Sequence, residues 1–237
     1  MARPDLNLLV TLDVLLAEGS VARAARRLRL SPSAMSRALA RLREATGDPL
    51  LAKLLARIST EAPGVRLRFL PKPDKDSAPL RDGTVDLETG VVGKTTGPEV
   101  RTQALFRDRF IGVVRTGHPL SKGDITPERY AAGRHIRVSR RGIGTSPIDE
   151  ALAPFALECE IATIVGGFSA ALALARASDL VASVPERHTG DLRSGMHSFA
   201  LPMPVPPIAI SQLWHPRLDG DVAHRWLRGC VREACAG

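Results

Sequence analysis

Residues 20–47, SVARAARRLRLSPSAMSRALARLREATG, have the pattern of two short helices joined by a tight turn. Each segment carries an apolar stripe at helical spacing, formed by Ala24, Ala25 and Leu28 in the first and by Met35, Leu39 and Leu42 in the second. Ser20 can cap the first helix. Ser31 followed by Pro32 is a start signal for the second, because proline at the first helical position gives up only an N–H that would be unpaired there. Residues 28–30 remain for the turn, so the stretch predicts a helix-turn-helix.

The outward face of the second predicted helix carries hydroxyl and guanidinium groups three and four residues apart. Together with the capping Ser31, its members are Ser33, Ser36, Arg37 and Arg41. In a helix-turn-helix the second helix lies in the DNA major groove, where arginine pairs with guanine or phosphate and serine donates to bases or backbone. An isolated face of this composition would more often be a solvated surface. The capped helix before it and the three-residue turn favour contact with double-stranded DNA.

These residues resemble the LysR-type transcriptional regulators. The matching stretches are residues 5–9 (DLNLL), 19–28, 30–43 and 47–51 (GDPLL). The resemblance implies a winged helix-turn-helix in which Ser33, Ser36 and Arg37 occupy positions that touch DNA. It also implies RNA polymerase as a partner, a small-molecule effector, and assembly as a homo-oligomer.

The sequence departs from the family pattern directly after residues 47–51. Family members continue into a β wing, a long linker helix through which two subunits dimerise, and the first strand of the effector domain. Here Lys53 leads straight into residues 54–65, LLARISTEAPGV, which resemble the end of the first effector-domain helix. We therefore predict an internal deletion at about Lys53. Apolar residues keep helical spacing across the junction, namely Leu50, Leu51, Leu54, Leu55 and Ile58, so one hybrid helix is expected.

The missing segments bear on assembly and DNA binding. The wing contributes groove and phosphate contacts, and the linker would place two recognition helices one DNA turn apart. The oligomeric state and the strength of specific DNA binding stay open on this evidence. The first lobe of the effector domain, which lacks its first strand, is expected to be poorly formed.

Composition bounds the remaining possibilities. With 237 residues and 44% hydrophobic content, the chain has room for a small DNA-binding module and a larger domain with its own core. No apolar run of about 18 residues occurs, and the N-terminus has no apolar signal region, so we expect a cytoplasmic protein without a membrane partner. The formal charge of +8 and a pI near 10.2 are in keeping with a phosphate-binding protein.

Cysteine and histidine spacing predicts no metal site and no cofactor. Cys159, Cys230 and Cys235 form no CxxC pair and are too few for a disulfide framework, so they are expected to be free thiols. The six histidines are scattered along the chain, without the spacing that zinc sites need.

The remainder of the chain alternates strand-like and helical patterns. The strand-length runs are residues 65–70, 110–115, 136–139, 180–184 and 208–213, and the helical patterns are residues 148–157, 169–177 and 221–235. Residues 80–90 resemble the family segment in which a helix end leads into a short strand. This order predicts an α/β domain with largely parallel sheets. Residues 202–207 and 96–98, rich in proline and glycine, are predicted crossing points.

The full predicted fold is α/β: a helix-turn-helix of the winged-helix type whose wing is missing, followed by a two-lobed effector domain resembling periplasmic binding proteins. The predicted domains are residues 1–53 and 54–237. One predicted lobe holds residues 54–98 with 205–237, and the other holds residues 99–204.

A small-molecule effector is expected in the cleft between the lobes, where helix N-termini can hold anions. Ser139 and Arg140 follow a predicted strand, and Thr145 with Ser146 and Pro147 opens a helix. Phe168 and Ser169 follow two glycines ahead of another helix. The predicted effector residues are Ser139, Arg140, Thr145, Phe168 and Ser169; each could equally be part of an ordinary loop or cap. The arginine suggests an organic acid as the effector.

Other function classes fit the sequence less well. An enzyme is not predicted, because no nucleophile elbow, P-loop or dinucleotide-binding glycine motif occurs. A stand-alone small-molecule-binding protein would leave the N-terminal module without a role. A truncated regulator fragment without specific DNA binding competes seriously, because of the predicted deletion.

Overall fold

The structure is a computed structural model that describes residues 26–27, 49–70, 76–93, 96–139 and 145–236. Its helices are α1 (Pro49–Glu61), α2 (Ala78–Asp82), α3 (Pro127–Ala131), α4 (Pro147–Leu152), α5 (Phe168–Ala177) and α6 (Val222–Ala236). Its strands are β1 (Glu88–Val91), β2 (Arg101–Asp108), β3 (Phe110–Arg115), β4 (Arg134–Val138), β5 (Glu160–Val165), β6 (Leu180–Pro185), β7 (Met196–Ala200) and β8 (Ile208–Trp214). Arg26 and Arg27 are helical and exposed. The rest of the predicted helix-turn-helix lies outside the described residues.

The predicted hybrid helix is confirmed. Helix α1 runs without a break from Pro49 to Glu61, across the predicted junction at Lys53. Leu54 and Ile58, one turn apart, are buried and pack against Phe106 of β2 and against α6. Arg57 forms ion pairs with Glu61 of its own helix and with Glu233 of α6. Helices α1 and α6, which are far apart in the sequence, are therefore packed against each other.

Three antiparallel strands form the first sheet, in the order β1–β8–β2. Gln212 of the central strand is fully buried, and its side-chain amide donates to Gln103 of β2 at 2.6 Å. The α1–α6 pair contributes its apolar side chains to the core beside this sheet.

The predicted strand at residues 65–70 is wrong. This segment has no strand structure. Val65 and Phe69 are 46% and 45% exposed, while Leu67 alone of the alternating set packs on the core beside α1. A strand needs a hydrogen-bonded neighbour, and no strand among the described residues pairs with this segment.

Five strands form the second sheet, in the order β5–β4–β6–β3–β7. Strand β4 is parallel to β5 and β6, whereas β3 is antiparallel to β6 and β7. The expectation of largely parallel sheets is therefore corrected to one antiparallel and one mixed sheet. Helix α5 covers one face, where Ala171, Leu172 and Ala175 are buried against Ile136 and Val184. Tyr130 of α3 and Leu152 of α4 are buried in the other core of this part of the chain.

The crossings between the sheets were predicted in part. The proline-rich stretch at 202–207 lies between β7 of the second sheet and β8 of the first, as expected. The crossing predicted at 96–98 is wrong, because β1 and β2 on either side both belong to the first sheet. The chain passes to the second sheet at Arg109, between β2 and β3.

Other elements agree with the sequence to within a few residues. Strands β3, β4, β6 and β8 and helices α5 and α6 occur where the patterns predict them, and α2 followed by β1 matches the pattern at 80–90. Helix α4 is shorter than predicted, since it ends at Leu152 and gives way to a 3-10 turn. Strands β2, β5 and β7 were not predicted.

Candidate functional site

One edge of the second sheet gathers most of the predicted effector residues. Strands β5 and β6 each pair in parallel with β4, so the carboxyl ends of all three strands lie at the same edge of the sheet. Strand β3 runs the opposite way and begins there, with Phe110 opposite Pro185, the last residue of β6. Ligands of α/β proteins commonly bind outside the carboxyl ends of such strands.

Aromatic rings line this edge. Gly167, the last residue before α5, is its N-cap, so that Phe168 is its first helical residue and Ser169 its second. The Phe168 ring lies edge-to-face with Phe110 at 6.3 Å and with His188 at 6.1 Å between ring centroids. These three rings come from α5, β3 and the segment after β6, so the fold brings distant parts of the chain together at Phe168.

The predicted cap of α4 is confirmed. The Ser146 hydroxyl accepts from the Asp149 backbone N–H at 3.3 Å, and the Asp149 carboxylate accepts from the Ser146 N–H at 2.8 Å. Pro147 occupies the first helical position. This reciprocal capping box fixes the start of a helix of six residues. Thr145, just before the cap, is exposed.

The predicted effector residues are brought together only in part. Ser139 follows β4, where its N–H donates to the carbonyl of Val165 at the end of β5 at 2.9 Å. Arg140 lies outside the described residues. Thr145 lines a wide hollow of about 790 Å³ beside α4. Phe168 lines a separate, smaller space described below. Neither volume has Ser139 or Ser169 among its described lining residues.

We call that smaller space the inner cavity; its volume is about 90 Å³. Its described lining residues are Phe110, Tyr130, His135, Ile136, Arg137, Val138, Ser146, Pro147, Ile148, Asp149, Cys159, Ile161, Phe168 and Ser183. Among the residues that sequence reasoning missed are Tyr130, His135, Arg137 and Ser183. Of these, Arg137 is the residue that the sequence could have indicated, because it lies within a strand-like run. A charged side chain inside a mostly buried strand needs a partner.

Arg137 finds that partner in Asp149. Its guanidinium donates to the Asp149 carboxylate at 2.7 Å, and both side chains are about one quarter exposed. The same carboxylate completes the α4 capping box. The pair therefore ties the start of α4 to strand β4.

Buried polar groups lie beneath α3. Tyr130 is fully buried, and its hydroxyl is 2.6 Å from the Ser183 hydroxyl. His135 Nε2 donates to the Tyr130 carbonyl at 2.8 Å, and the two rings are 4.6 Å apart. Burial lowers the pKa of His135 and raises the pKa of Tyr130. Both groups are therefore neutral near pH 7.

A buried carboxylate holds the crossing between the sheets. Asp108, at the end of β2, is 5% exposed. It accepts hydrogen bonds from the backbone N–H groups of Arg109, Arg187 and His188 at 2.8–2.9 Å. The carboxylate thus joins the first sheet to the segment that follows β6, next to the His188 ring that contacts Phe168.

Arginines reinforce this junction. Arg109 makes a two-point ion pair with Glu186, which lowers the pKa of that carboxyl group. Arg187 lies 4.5 Å above the Phe106 ring and donates to the Cys235 carbonyl of α6. Both contacts link the end of β6 to the core beside the first sheet.

The family model described as "LysR substrate binding domain" matches residues 23–236. The chain belongs to the LysR substrate-binding domain family. That match begins inside the predicted helix-turn-helix, before the predicted domain boundary at 53/54.

Relatives of this LysR-family chain are named as transcriptional regulators. The transcriptional activator NahR of Pseudomonas putida is 27% identical over 290 aligned positions, covering 94% of this chain and 95% of the relative. The transcriptional regulator LinR of Sphingobium indicum is 27% identical over 293 positions, covering 97% and 96%. Among solved structures, the probable transcriptional regulator PA0477 from Pseudomonas aeruginosa aligns with a TM-score of 0.70 and 26% identity, covering 97% of this chain and 96% of the other.

These alignments bear on the predicted deletion. The 290 positions aligned with NahR exceed the 237 residues of this chain. The relative therefore has residues, within the aligned region, that this chain lacks. The site where they are missing stays the predicted one, at about Lys53.

Further structural findings concern the described residues alone. Cys159, Cys230 and Cys235 are free thiols, as predicted. No cluster of potential metal ligands occurs among the described residues. In the same part of the chain, no helix is long and apolar enough to span a bilayer.

Proposed function

We propose that this chain is a DNA-binding transcriptional regulator of the LysR type, controlled by a small-molecule effector bound at the carboxyl edge of the second sheet. The observation that supports this proposal most is the family match across residues 23–236. It is joined by relatives named as transcriptional regulators, with which the chain aligns over nearly their whole length. The predicted recognition helix lies within the matched region, near its start. By this proposal the chain is cytoplasmic, is not an enzyme, and acts with RNA polymerase.

The proposed DNA contacts are Ser31, Ser33, Ser36, Arg37 and Arg41. The test is selection of binding sites from random double-stranded DNA with the full chain, followed by gel-shift measurement of the enriched site. We expect a two-fold symmetric site, because family members bind as oligomers. Arg37→Ala is expected to weaken binding about tenfold or more, since a bidentate arginine–base contact contributes about 1–3 kcal/mol.

A matched control is Arg232→Ala, which removes an exposed arginine of α6. It changes net charge as Arg37→Ala does, but leaves the proposed recognition helix intact. Equal losses for both variants would indicate binding by charge alone and would favour the truncated-fragment alternative. Light scattering with and without the enriched DNA would report the oligomeric state.

The proposed effector residues remain Ser139, Arg140, Thr145, Phe168 and Ser169. The rings of Phe110, Phe168 and His188 at the sheet edge support an aromatic or other planar effector, and Arg140 supports a carboxylate. The test is thermal unfolding with a panel of small organic acids, since a ligand that binds the native state raises the midpoint. Ser169→Ala should reduce the shift, whereas Ser194→Ala, an exposed serine far along the chain, should not.

If no organic acid raises the midpoint, the organic-acid part of the proposal fails. Stabilisation by ligands without any DNA selection would instead favour a stand-alone binding protein.

A further inference from the structure

The first sheet ends in an unprotected strand. Its order, β1–β8–β2, makes β1 a terminal strand, and no strand among the described residues pairs with the other edge of β1. Such an edge presents backbone N–H and C=O groups that a further strand can bind. Its side chains are exposed as well: Thr89 is exposed, and Val91 and Val92 are each 43% exposed. The outer edge of β1 therefore offers hydrogen-bonding groups together with apolar side chains.

The terminal strand on the other side of the same sheet is protected. Strand β2 carries Arg101 and Arg107, both exposed, and its pairing with β8 is interrupted by a bulge between Ala104 and Phe106. Charged side chains and bulges are the means by which natural sheets keep their edges from pairing. Residues 88–92, ETGVV, contain no lysine, arginine or proline. Strand β1 is thus the edge of this sheet that can accept another strand.

The sequence of this edge is complementary to itself. In an antiparallel pair of identical strands related by a two-fold axis, the residue on the axis lies opposite its own copy. When residues 88–92 pair over their whole length, that residue is Gly90. Thr89 then lies opposite Val91 of the second copy, twice in the dimer. These two positions share the exposed face of β1, and two β-branched residues form a favourable cross-strand pair.

Charge and space permit this register. Glu88 lies opposite Val92 of the second copy, so no like charges face each other across the strands. Gly90 has no side chain to hold the backbones apart, and the nearest described atom to a Cβ placed there is Glu88 Oε1, at 3.9 Å. The edge already contains its own complement, which favours a second copy of this chain over an unrelated strand.

The apolar surface near β1 extends to residues 65–70. Leu67 of this segment and Leu87, directly before β1, pack on the same core. Val65 and Phe69 are exposed. An edge of four residues is small beside specific interfaces, which bury about 1,200–2,000 Å² in total. The exposed side chains of this neighbouring segment supply further apolar area for the same contact.

We propose that the outer edge of β1 is a dimer interface, at which a second copy of this chain pairs antiparallel about Gly90. The two three-stranded sheets then form one continuous sheet across the dimer. This pairing needs neither DNA nor an effector, so it does not depend on the proposed function.

Disulfide trapping with the full chain tests the edge and its register together. Directly opposed residues have Cα atoms about 4.5–5.5 Å apart, within the range of about 4.4–6.8 Å that a disulfide spans. Gly90→Cys should therefore form a disulfide-linked dimer under mild oxidation. Val92→Cys is the matched control, because in this register its two copies are offset by four residues, about 13 Å, and cannot be bridged. The wild-type chain, with three free cysteines, gives the background.

Light scattering without DNA measures the dimer itself. Val91→Lys places a charge on the exposed edge and should weaken dimerisation about tenfold or more, because the change occurs twice in the symmetric pair. Ile164→Lys is the control. It makes a similar change at a position that is 45% exposed on β5, a terminal strand of the second sheet, and it should leave the dimer intact.

Three results would overturn the proposal. A chain that stays monomeric at its highest soluble concentration has no such interface. Trapping of Val92→Cys as strong as that of Gly90→Cys would contradict the register. Equal weakening by Val91→Lys and Ile164→Lys would place the dimer contact elsewhere. The trapping result stands whether or not the lysine variants fold.

Discussion

At the scale of single residues, Asp108 and His135 show how buried polar groups organise this molecule. Each lies at a junction between two segments of the chain and makes hydrogen bonds there, which have a direction that apolar packing lacks. Asp108 joins the end of β2 to the segment after β6, and His135 joins β4 to α3. Both contacts are to backbone groups, so they fix the course of the chain as well as the side chains.

Asp108→Ala should lower the free energy of unfolding by about 3 kcal/mol, because three N–H groups lose a buried charged acceptor. Asp108→Asn keeps one acceptor oxygen and should cost less. Urea denaturation measures both. Asp124→Ala, at an exposed position, is the control and should stay within about 0.5 kcal/mol of the wild type. An alanine variant at 108 as stable as this control would contradict the role of the carboxylate.

The burial of His135 predicts a pH dependence of stability. Its pKa in the native state is lowered below the ordinary 6.5, so below that pH the unfolded chain binds a proton that the native chain does not. Stability is therefore full above about pH 6.5 and decreases as the pH falls through it. Burial lowers the pKa of His224 as well, with the same sign. His135→Phe should flatten the decrease between about pH 7.5 and 5.5; an unchanged profile would argue against a buried neutral imidazole.

The residues of the inner cavity mark a limit of sequence reasoning. Helix caps can be predicted, since Ser146, Pro147 and Asp149 lie within four positions of each other. Tyr130, His135 and Ser183 are brought together by the pairing of β4 with β6, a contact between segments some fifty residues apart. Nothing in their local spacing indicates it.

At the scale of elements, apolar periodicity predicted the helices and strands that pack on a core. It failed for segments whose strand structure depends on pairing with a neighbouring strand. Residues 65–70 alternate as a strand should, yet have no strand structure, because no described strand lies beside them. Strand β2 was missed for the opposite reason. Its first four residues are exposed, so it lacks clear alternation, but it is held by pairing along β8.

Helix α1 should depend on its contact with α6. Ile58→Ala removes a side chain that is 3% exposed and should cost about 3 kcal/mol of unfolding free energy. Lys53→Ala, on the exposed side of the same helix, is the control and should change little. A small effect of Ile58→Ala in urea denaturation would mean that the hybrid helix does not pack as described.

The start of α4 gives a second test at this scale. Ser146→Ala removes the capping hydroxyl and should lower the free energy of unfolding by about 1 kcal/mol. Thr145→Ala changes the preceding residue, which caps nothing in this structure, and should be neutral. If the two variants are equally stable, the capping box contributes nothing to folding.

At the scale of the whole molecule, the chain combines a family effector fold with fewer residues than its relatives have in the aligned region. A first sheet of three strands nevertheless forms, with a core shared between α1 and α6. The prediction that the first lobe is poorly formed can be tested by thermal unfolding. A single cooperative transition for the full chain would count against it.

The central claim is that the N-terminal helices read a DNA sequence. The most direct measurement is the ratio of gel-shift affinities of the full chain for its selected site and for a scrambled duplex of equal composition, at about 0.15 M salt. Specific protein–DNA complexes are typically about 10³-fold or more tighter than non-specific ones, and the proposed function predicts a ratio in that range. A ratio near one, with both affinities falling equally as salt increases, would contradict it and leave a basic protein that binds DNA by charge alone.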